Sequence, residues 1–426
     1  MNSTTRGPSR DHWHLVGNDR IAATAHNGGY VQLYDWGRGG KALNRWEPHR
    51  RSFSGGFKFI ALNGHVFSTL HSALPQDIRQ KRVFGMGYFL KETRFGDIEV
   101  IEKITAPPGD DPALVSTTLI RNDSSQDAEI SVVEFWAVNP EQILFAPFIV
   151  KPFLALRGAL KRLFRLTSFH DPATGAIGVD IAFALPRLAP RPEARFPFDC
   201  HPKTVFLAPL DERGRLESAF ATDGEKFFGR AGLDNPPGVF GTADGSLISG
   251  RPAHRPDAIL AFRRTPRLPA GSTETLRYLV GYADKAEIGR IIERHAAPAK
   301  KISISICGFR SRGMEWLERE AAWHSYYLQA ATLYSEFYKA HFVDQGSAYS
   351  FEQGLSGASR DFALFIMTLA WLRPSLAREM LLFMMSTQDH RSGALPYAHT
   401  GHGVTSGFFI HSYSSDQDLF FLWALA

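Results

Sequence analysis

Cysteine is scarce in this sequence of 426 residues, where it occurs only at Cys200 and Cys307. Two thiols so far apart provide neither a metal-binding spacing nor a disulfide framework, so we expect both to be reduced and buried. Long apolar runs are also lacking. The most apolar region, residues 143–156, is interrupted by two prolines and a lysine and is too short to span a bilayer. The sequence therefore predicts no membrane partner.

The charge is not of one sign, because 48 basic residues face 43 acidic ones and leave a net charge of +5. Most basic residues are scattered, and no motif of a nucleic-acid binder accompanies them. The densest group lies on a short amphipathic stretch that we interpret as a solvated helix face: Arg157, Lys161, Arg162 and Arg165. The N-terminal segment MNSTTRGPSRDHW lacks the apolar core of a secretory signal. These absences predict a cytoplasmic protein without a nucleic-acid partner.

What is present over residues 1–285 is a series of short β-branched and aromatic runs, such as GGYVQLYDW, VEFWAVN and TLRYLVGYA, separated by turn residues. Asn122-Asp123 lies between TTLIR and AEISVVEFW, which predicts a hairpin there. In IEVIEKIT, Ile98 and Val100 face one way, with acids between them. Residues 1–285 are therefore predicted to form an antiparallel β-sandwich.

Helical patterns follow. Residues 286–345 are interpreted as a helical linker, with MEWLEREAAWHSYYLQAATLYSEFYKAHF as one long helical pattern. Residues 346–426 contain two apolar helices, DFALFIMTLAWL and SLAREMLLFMM, and Pro374 fixes the break between them. Both are apolar nearly all round, which is typical of inner helices of a helical barrel. The last segment, DLFFLWALA, ends without a cap, so we expect an incomplete barrel.

These pieces occur in the order known from one group of enzymes. GGYVQLYDW, the run GMGYFLKETRFGDIEVIEKITAPPGDDPALVSTTLIRNDSS, FFGRAGLDNPPGVF, WLEREAAWHSYYLQAATLY, GASRDFALF, RPSLAREMLLFMMSTQD and SSDQDLFFLWALA extend over nearly the whole chain. In these segments the sequence resembles the family-94 glycoside phosphorylases. That family includes cellobiose and chitobiose phosphorylases and the phosphorylase-like region of cyclic β-1,2-glucan synthases.

The resemblance implies an N-terminal β super-sandwich, a helical linker and the start of an (α/α)6 barrel. It also implies inverting phosphorolysis of β-linked oligosaccharides or glucans, which gives an α-sugar 1-phosphate. Inorganic phosphate is then a co-substrate, and no cofactor is needed. Members of the family commonly form dimers, so the resemblance allows a homodimer.

Arg360 and Asp361 are the first candidate site residues. They open an apolar helix after a Gly/Ser-rich loop, and a helix N-terminus favours anions. The resemblance implies that Arg360 contacts phosphate and Asp361 binds sugar hydroxyls. The alternative is that Asp361 caps the helix and pairs with Arg360. Family members often carry Gln-Asp one turn later, where this chain has LFIM at residues 364–367, so the details of the sugar subsite differ.

Further candidates lie before and after this helix pair. Asp416 and Asp418 precede LFFLWALA and match paired acids of the family; we expect capping from at least one and a sugar contact from the other. His399 and Tyr349 are candidate sugar-binding residues. The four histidines of this region have spacings that match no common zinc pattern, so no metal is expected: His390, His399, His402 and His411.

The family's proton donor lies in a Trp-Asn-Asp segment, and this chain contains none. The catalytic acid is therefore unknown, and the chain alone is expected to be inactive. Two alternatives stay open. One is an inverting hydrolase on the same architecture, which needs two carboxylates and a water rather than phosphate. The other is a non-catalytic glucan-binding protein.

Overall fold

The computed structural model describes residues 11–143, 163–197, 199–210, 218–240, 258–297, 306–308, 310–344, 355–400, 402–406 and 416–426. Within these ranges the chain is mostly β, and the paired strands are antiparallel. None of the helices in these ranges has the length and apolar character needed to cross a membrane.

The strands are, in chain order, β1 (Trp13–Gly17), β2 (Ala22–His26), β3 (Val31–Asp35), β4 (Lys41–Ala42), β5 (Gly55–Leu62), β6 (His65–Ser68), β7 (Arg79–Gly85), β8 (Tyr88–Phe95), β9 (Ile98–Thr105), β10 (Ala113–Asn122), β11 (Ala128–Val138), β12 (Glu141–Gln142), β13 (Phe164–Asp171), β14 (Ala176–Phe183), β15 (Thr204–Pro209), β16 (Ser218–Asp223), β17 (Ala258–Arg264), β18 (Arg267–Leu268), β19 (Thr273–Ala283), β20 (Thr332–Ser335), β21 (Ala340–Val343), β22 (Leu355–Ala358), β23 (Ala398–Thr400) and β24 (Val404–Ser406). The α-helices are α1 (Gly224–Phe228), α2 (Ile288–Ala296), α3 (Glu315–Ala330), α4 (Ser359–Leu372), α5 (Pro374–Thr387) and α6 (Gln417–Leu425).

Three sheets build the sandwich. The largest has the order β13-β14-β15-β19-β10-β9-β8-β7; the second is β16-β17-β11-β5-β6 with β18 beside β11; the third is β1-β2-β3-β4-β12. One apolar core joins all three, with Val100 and Tyr278 from the first, Trp136 from the second and Val31 and Leu33 from the third. Alternating strand residues thus face a shared interior, and the predicted antiparallel sandwich is confirmed.

The predicted hairpin at Asn122-Asp123 is wrong. β10 pairs with β9 and β19 in the eight-stranded sheet, whereas β11 pairs with β5, β17 and β18 in the neighbouring one. The Asn122 side chain donates to the carbonyls of Gln126 and Leu268 and so holds a connection that crosses between sheets. Turn residues predict a reversal of the chain, but they do not determine which sheet the next strand joins.

The long helix predicted after Gly313 is shorter than expected. α3 ends at Ala330, and β20 and β21 form a hairpin in the remaining part. Lys339 adopts a left-handed conformation (φ 52°) immediately before β21. Leu333 and Phe342 are buried in one apolar cluster with residues of α4 and α5. Tertiary packing of these two residues therefore overrides the helical periodicity.

The break at Pro374 is confirmed, because α4 ends at Leu372 and α5 begins at Pro374. The helices are less enclosed than predicted. Each buries one stripe, such as Phe362 and Ile366 of α4, whereas Trp371 is 90% exposed. The described residues thus contain a helical pair packed against the sandwich.

Two smaller predictions also meet the structure. Arg165 lies in β13 rather than on a helix face, and the other three residues of its basic group lie outside the described residues. Both cysteines are unpaired, with Cys200 buried and Cys307 only half-buried. Burial raises the pKa of the Cys200 thiol to about 11.

Candidate functional site

The candidate site lies where α4 and α6 begin. The first turn of α4 is anchored to residues 395–397, which we call the 395–397 segment. The backbone N–H of Ser359 donates to the Tyr397 carbonyl (3.2 Å), and its hydroxyl donates to the Pro396 carbonyl (2.5 Å). β22, which leads into α4, pairs with β23, which follows the segment. The start of α4 is thereby fixed in position.

The same segment anchors α6. The backbone N–H of Leu395 donates to Asp418 Oδ1 (3.3 Å), and the buried Gln417 side chain donates to the Leu395 carbonyl (3.3 Å). Two helices that are separated by more than forty residues in sequence therefore begin at one short segment. Their N-terminal partial charges add up at this point.

An ion pair joins the two helix starts. Arg360 Nη1 donates to Asp416 Oδ2 at 3.2 Å, and the two side chains are 46% and 40% exposed. This hydrogen bond, with smaller contributions from the charges of Asp361 and Asp416 and from Tyr397, holds the pKa of Arg360 above its usual value. The structure thus brings together the arginine and an acid that the sequence placed far apart.

The acids do not act as simple caps. Asp416 stands at the N-cap position of α6 but makes no side-chain capping hydrogen bond. Asp418 accepts from the backbone of Leu395 instead. Asp361 lies in the first turn of α4, whose N-cap is Ala358. Arg360 forms its ion pair with Asp416.

His399 occupies a different environment from this exposed cluster. Its ring packs against Phe362 (centroids 5.6 Å apart), Phe383 (5.0 Å) and Tyr338 (6.4 Å), and the residue is only 5% exposed. Burial lowers its pKa to about 3, so the imidazole is neutral near pH 7. The role of His399 as a sugar ligand stays a prediction. Tyr349 lies outside the described residues.

Sequence reasoning missed the 395–397 segment and Gln417. Gln417 is polar but only 1% exposed, and its amide is turned inward to the segment rather than toward solvent. The burial of that side chain depends on a partner 22 residues away, which no local pattern reveals.

The cluster presents carboxylates and one guanidinium at two helix starts. Carboxylates accept hydrogen bonds from sugar hydroxyls, and a guanidinium presents a planar set of donors to phosphate or carboxylate. Within the described residues, no group of three or more His, Cys, Asp or Glu side chains is arranged to hold a metal ion.

Comparison with known proteins gives little further information. No protein-family model matches the chain, and neither does any curated protein. Among solved structures, a proposed kojibiose phosphorylase from the human microbiome is similar with a TM-score of 0.37 and 12% identity, over 84% of this chain and 39% of the other. The chain thus spans about two fifths of that protein.

Two lyases are similar at a lower level. A polysaccharide lyase has a TM-score of 0.33 and 12% identity, over 65% of this chain and 33% of its own. A mutant heparan sulfate lyase from Pedobacter heparinus has a TM-score of 0.29 and 7% identity, over 66% of this chain and 38% of its own. All three TM-scores lie below 0.5, so these likenesses carry no argument about this chain.

Proposed function

We propose that this chain belongs to a carbohydrate-active enzyme that cleaves β-linked oligosaccharides or glucans by phosphorolysis with inversion. The observation that carries the proposal is the Arg360–Asp416 ion pair at the shared start of α4 and α6. The resemblance to family-94 phosphorylases singles out these residues, and the fold places them on one exposed surface. In this proposal, residues 346–426 supply the first helices of an (α/α)6 barrel.

Phosphate binding must overcome the acids around Arg360. The positive charges are one guanidinium and two helix N-termini, and each N-terminus counts as about half a charge. They face the three carboxylates of Asp361, Asp416 and Asp418. The sum is close to −1, which is unfavourable for an anion. Phosphate therefore has to exchange with Asp416 at the arginine, and the released carboxylate then accepts hydrogen bonds from the sugar. The ion pair is about half exposed, so this exchange has a modest cost.

The test is phosphate binding by the purified chain, measured by isothermal titration calorimetry. We expect Arg360→Ala to weaken inorganic phosphate binding at least about tenfold, because a charge-assisted fork is lost. The phosphate affinity of Arg360→Lys is expected to lie between those of wild type and Arg360→Ala, since lysine keeps the charge and loses the planar geometry. The control is Arg378→Ala, which removes an exposed arginine of α5. Equal phosphate binding by wild type and Arg360→Ala would refute the proposal.

A hydrolase is the first alternative. It would use two carboxylates and a water, and its product is a free reducing sugar. Product analysis of a protein that carries this chain together with its catalytic acid separates the two reactions. Sugar 1-phosphate that forms only when phosphate is present supports phosphorolysis, and reducing sugar formed without phosphate supports hydrolysis.

A non-catalytic glucan-binding protein is the second alternative. Such a protein would bind oligosaccharides without any effect of phosphate. In the phosphorylase, by contrast, phosphate and the sugar occupy adjoining positions and change each other's affinity.

A further inference from the structure

A cleft of about 810 Å³ opens at one end of the sandwich. Its walls are turns from two different sheets: the β5–β6 turn at Asn63-Gly64 and the β8–β9 turn at Gly96-Asp97. The start of β11 closes the third side. The volume lies within the range of small-molecule and oligosaccharide sites.

The cleft combines apolar and acceptor surfaces. Phe67 lines the cleft, half-buried, with its ring centroid 5.0 Å from that of Phe95. The half-buried Ile78 lies beside them. Such a patch suits the C–H face of a pyranose ring, which packs on apolar and aromatic surfaces.

The polar lining carries negative charge and no lysine or arginine. Asp77, Asp97 and Glu129 are exposed, and the described residues provide none of them with an ion pair, whereas Asp127 pairs with Arg267 outside the lining. Carboxylates accept hydrogen bonds from hydroxyl groups and repel phosphates and uronates. This acidic lining disfavours an anionic partner at the cleft, although the chain as a whole carries a net charge of +5.

The cleft is separate from the candidate site. Its lining includes Ile98, where β9 begins. The loop after the other end of β9 contains Asp110, which contacts His341 of β21 (3.0 Å). The seven steps from Ile98 to Thr105 correspond to roughly 23 Å. The cleft therefore lies at the opposite end of β9 from the loop that contacts β21.

We propose that this cleft is a second binding site for a neutral oligosaccharide, which anchors a glucan chain at the sandwich end away from the helices. The choice of a neutral glycan rests on the proposed function; the exclusion of anionic glycans rests on the cleft alone. Asp97 and Glu129 accept hydrogen bonds from sugar hydroxyls, and Phe67 with Ile78 supports the ring.

The experiment measures the binding of glucose tetraoses with β-1,2, β-1,3 and β-1,4 linkages to the full chain by saturation-transfer NMR and calorimetry. We expect the double variant Asp97→Ala/Glu129→Ala to weaken binding of the preferred tetraose at least fivefold. Asp77→Ala should weaken it less, and Glu293→Ala, an exposed acid of α2, should leave it unchanged. A tetragalacturonate probe should bind at least tenfold more weakly than the best neutral tetraose.

Several results would overturn the inference. They are binding of none of the three tetraoses, equal binding by wild type and the double variant, and preferential binding of tetragalacturonate. Thermal unfolding of each variant shows whether its fold is intact; since these acids lie in exposed positions, we expect no change. Phosphate binding at Arg360 is measured separately, so loss of the cleft result with phosphate binding intact affects only this inference.

Discussion

At the scale of single residues, the sandwich interior contains charged side chains that the apolar pattern of its strands does not predict. Glu102 is 1% exposed and lies 3.1 Å from Lys91 Nζ, and Lys58 pairs with both Glu102 and Glu134. Lys91 also donates to the carbonyls of Gly29 and Gly56, which joins three sheets. Groups of this kind cost free energy to desolvate, and removal of one partner leaves the other buried without its charge partner.

Lys91 gives a prediction about alkaline pH. Burial lowers its pKa to about 8, whereas the unfolded chain keeps the proton to about pH 10.4. Between these values the unfolded state binds more protons, so the stability contributed by this group rises with pH. We expect the unfolding free energy of wild type, relative to that of Lys91→Met, to rise by roughly 2 to 3 kcal/mol from pH 8 to pH 10. Urea unfolding at the two pH values measures it, and a constant difference would contradict the prediction.

Asp416 gives a second prediction at this scale. Asp416→Asn removes the carboxylate that competes with phosphate for Arg360, so phosphate binding should strengthen roughly threefold to tenfold. The effect is opposite to that of Arg360→Ala. Calorimetric titration with phosphate measures both, with Asp389→Asn of an exposed turn as the control. Weaker phosphate binding by Asp416→Asn would show that Asp416 helps to hold the anion.

At the scale of elements, aromatic stacking attaches α3 to the sandwich. His14 of β1 stacks on Phe84 and Trp323, each with centroids 5.2 Å away, and its Nε2–H donates to the Gly85 carbonyl (2.8 Å). The Tyr326 hydroxyl donates to the Leu15 carbonyl at 2.6 Å. Trp323 therefore packs at this interface.

His14 links this interface to acid stability. Burial lowers its pKa to about 4, against about 6.5 in the unfolded chain. Below pH 6.5 the unfolded state binds the proton first, so the stability contributed by His14 is lost as the pH falls. Between pH 6.5 and pH 5, we expect the unfolding free energy of wild type to fall by about 2 kcal/mol more than that of His14→Phe. Denaturant unfolding at the two pH values compares the proteins; equal losses in both would contradict this role.

Element prediction succeeded where local chemistry decides and failed where partners decide. Pro374 breaks α4 from α5 because its ring cannot continue a helix, and the sequence shows this directly. Glu102 lies on the same face of β9 as Ile98 and Val100, but a charged residue is expected to be exposed. Its burial depends on Lys91 and Lys58 from other strands, which the sequence does not pair with it.

At the scale of the whole molecule, one ion pair connects the helical pair to the sandwich. Arg373, between α4 and α5, donates through both Nη atoms to Asp19 of the β1–β2 turn, at 2.7 and 3.0 Å. Both side chains are about one quarter exposed. A cavity of about 240 Å³ lies beside the pair, between Gly109 and Tyr326.

Arg373→Ala should loosen the helical pair without unfolding the sandwich. We expect a loss of about 1 kcal/mol, because a two-point ion pair of limited exposure disappears. Hydrogen exchange of α4 and α5 should accelerate about fivefold, whereas exchange of β9 and β10 should not change. Arg378→Ala is the control on α5. Uniform acceleration over the whole chain would show that the ion pair supports global stability instead.

The sandwich and the order of its parts could be predicted from strand texture, because alternation and turn residues are local signals. The assignment of strands to sheets could not, since β10 and β11 are neighbours in sequence but lie in different sheets. At the candidate site, the residue types at the helix starts indicated Arg360, Asp361, Asp416 and Asp418. Their meeting depends on the 395–397 segment, whose anchoring role is carried mainly by backbone groups that have no sequence signature.

The central claim is that Arg360 serves a site that binds both phosphate and a sugar. Its most direct test is calorimetric binding of α-glucose 1-phosphate and α-N-acetylglucosamine 1-phosphate to the chain, with phosphate and the free sugars for comparison. The account predicts that one sugar 1-phosphate binds more tightly than phosphate or its sugar alone, and that Arg360→Ala weakens this binding at least about tenfold. Sugar 1-phosphates that bind no better than the free sugars, with no effect of Arg360→Ala, would contradict it.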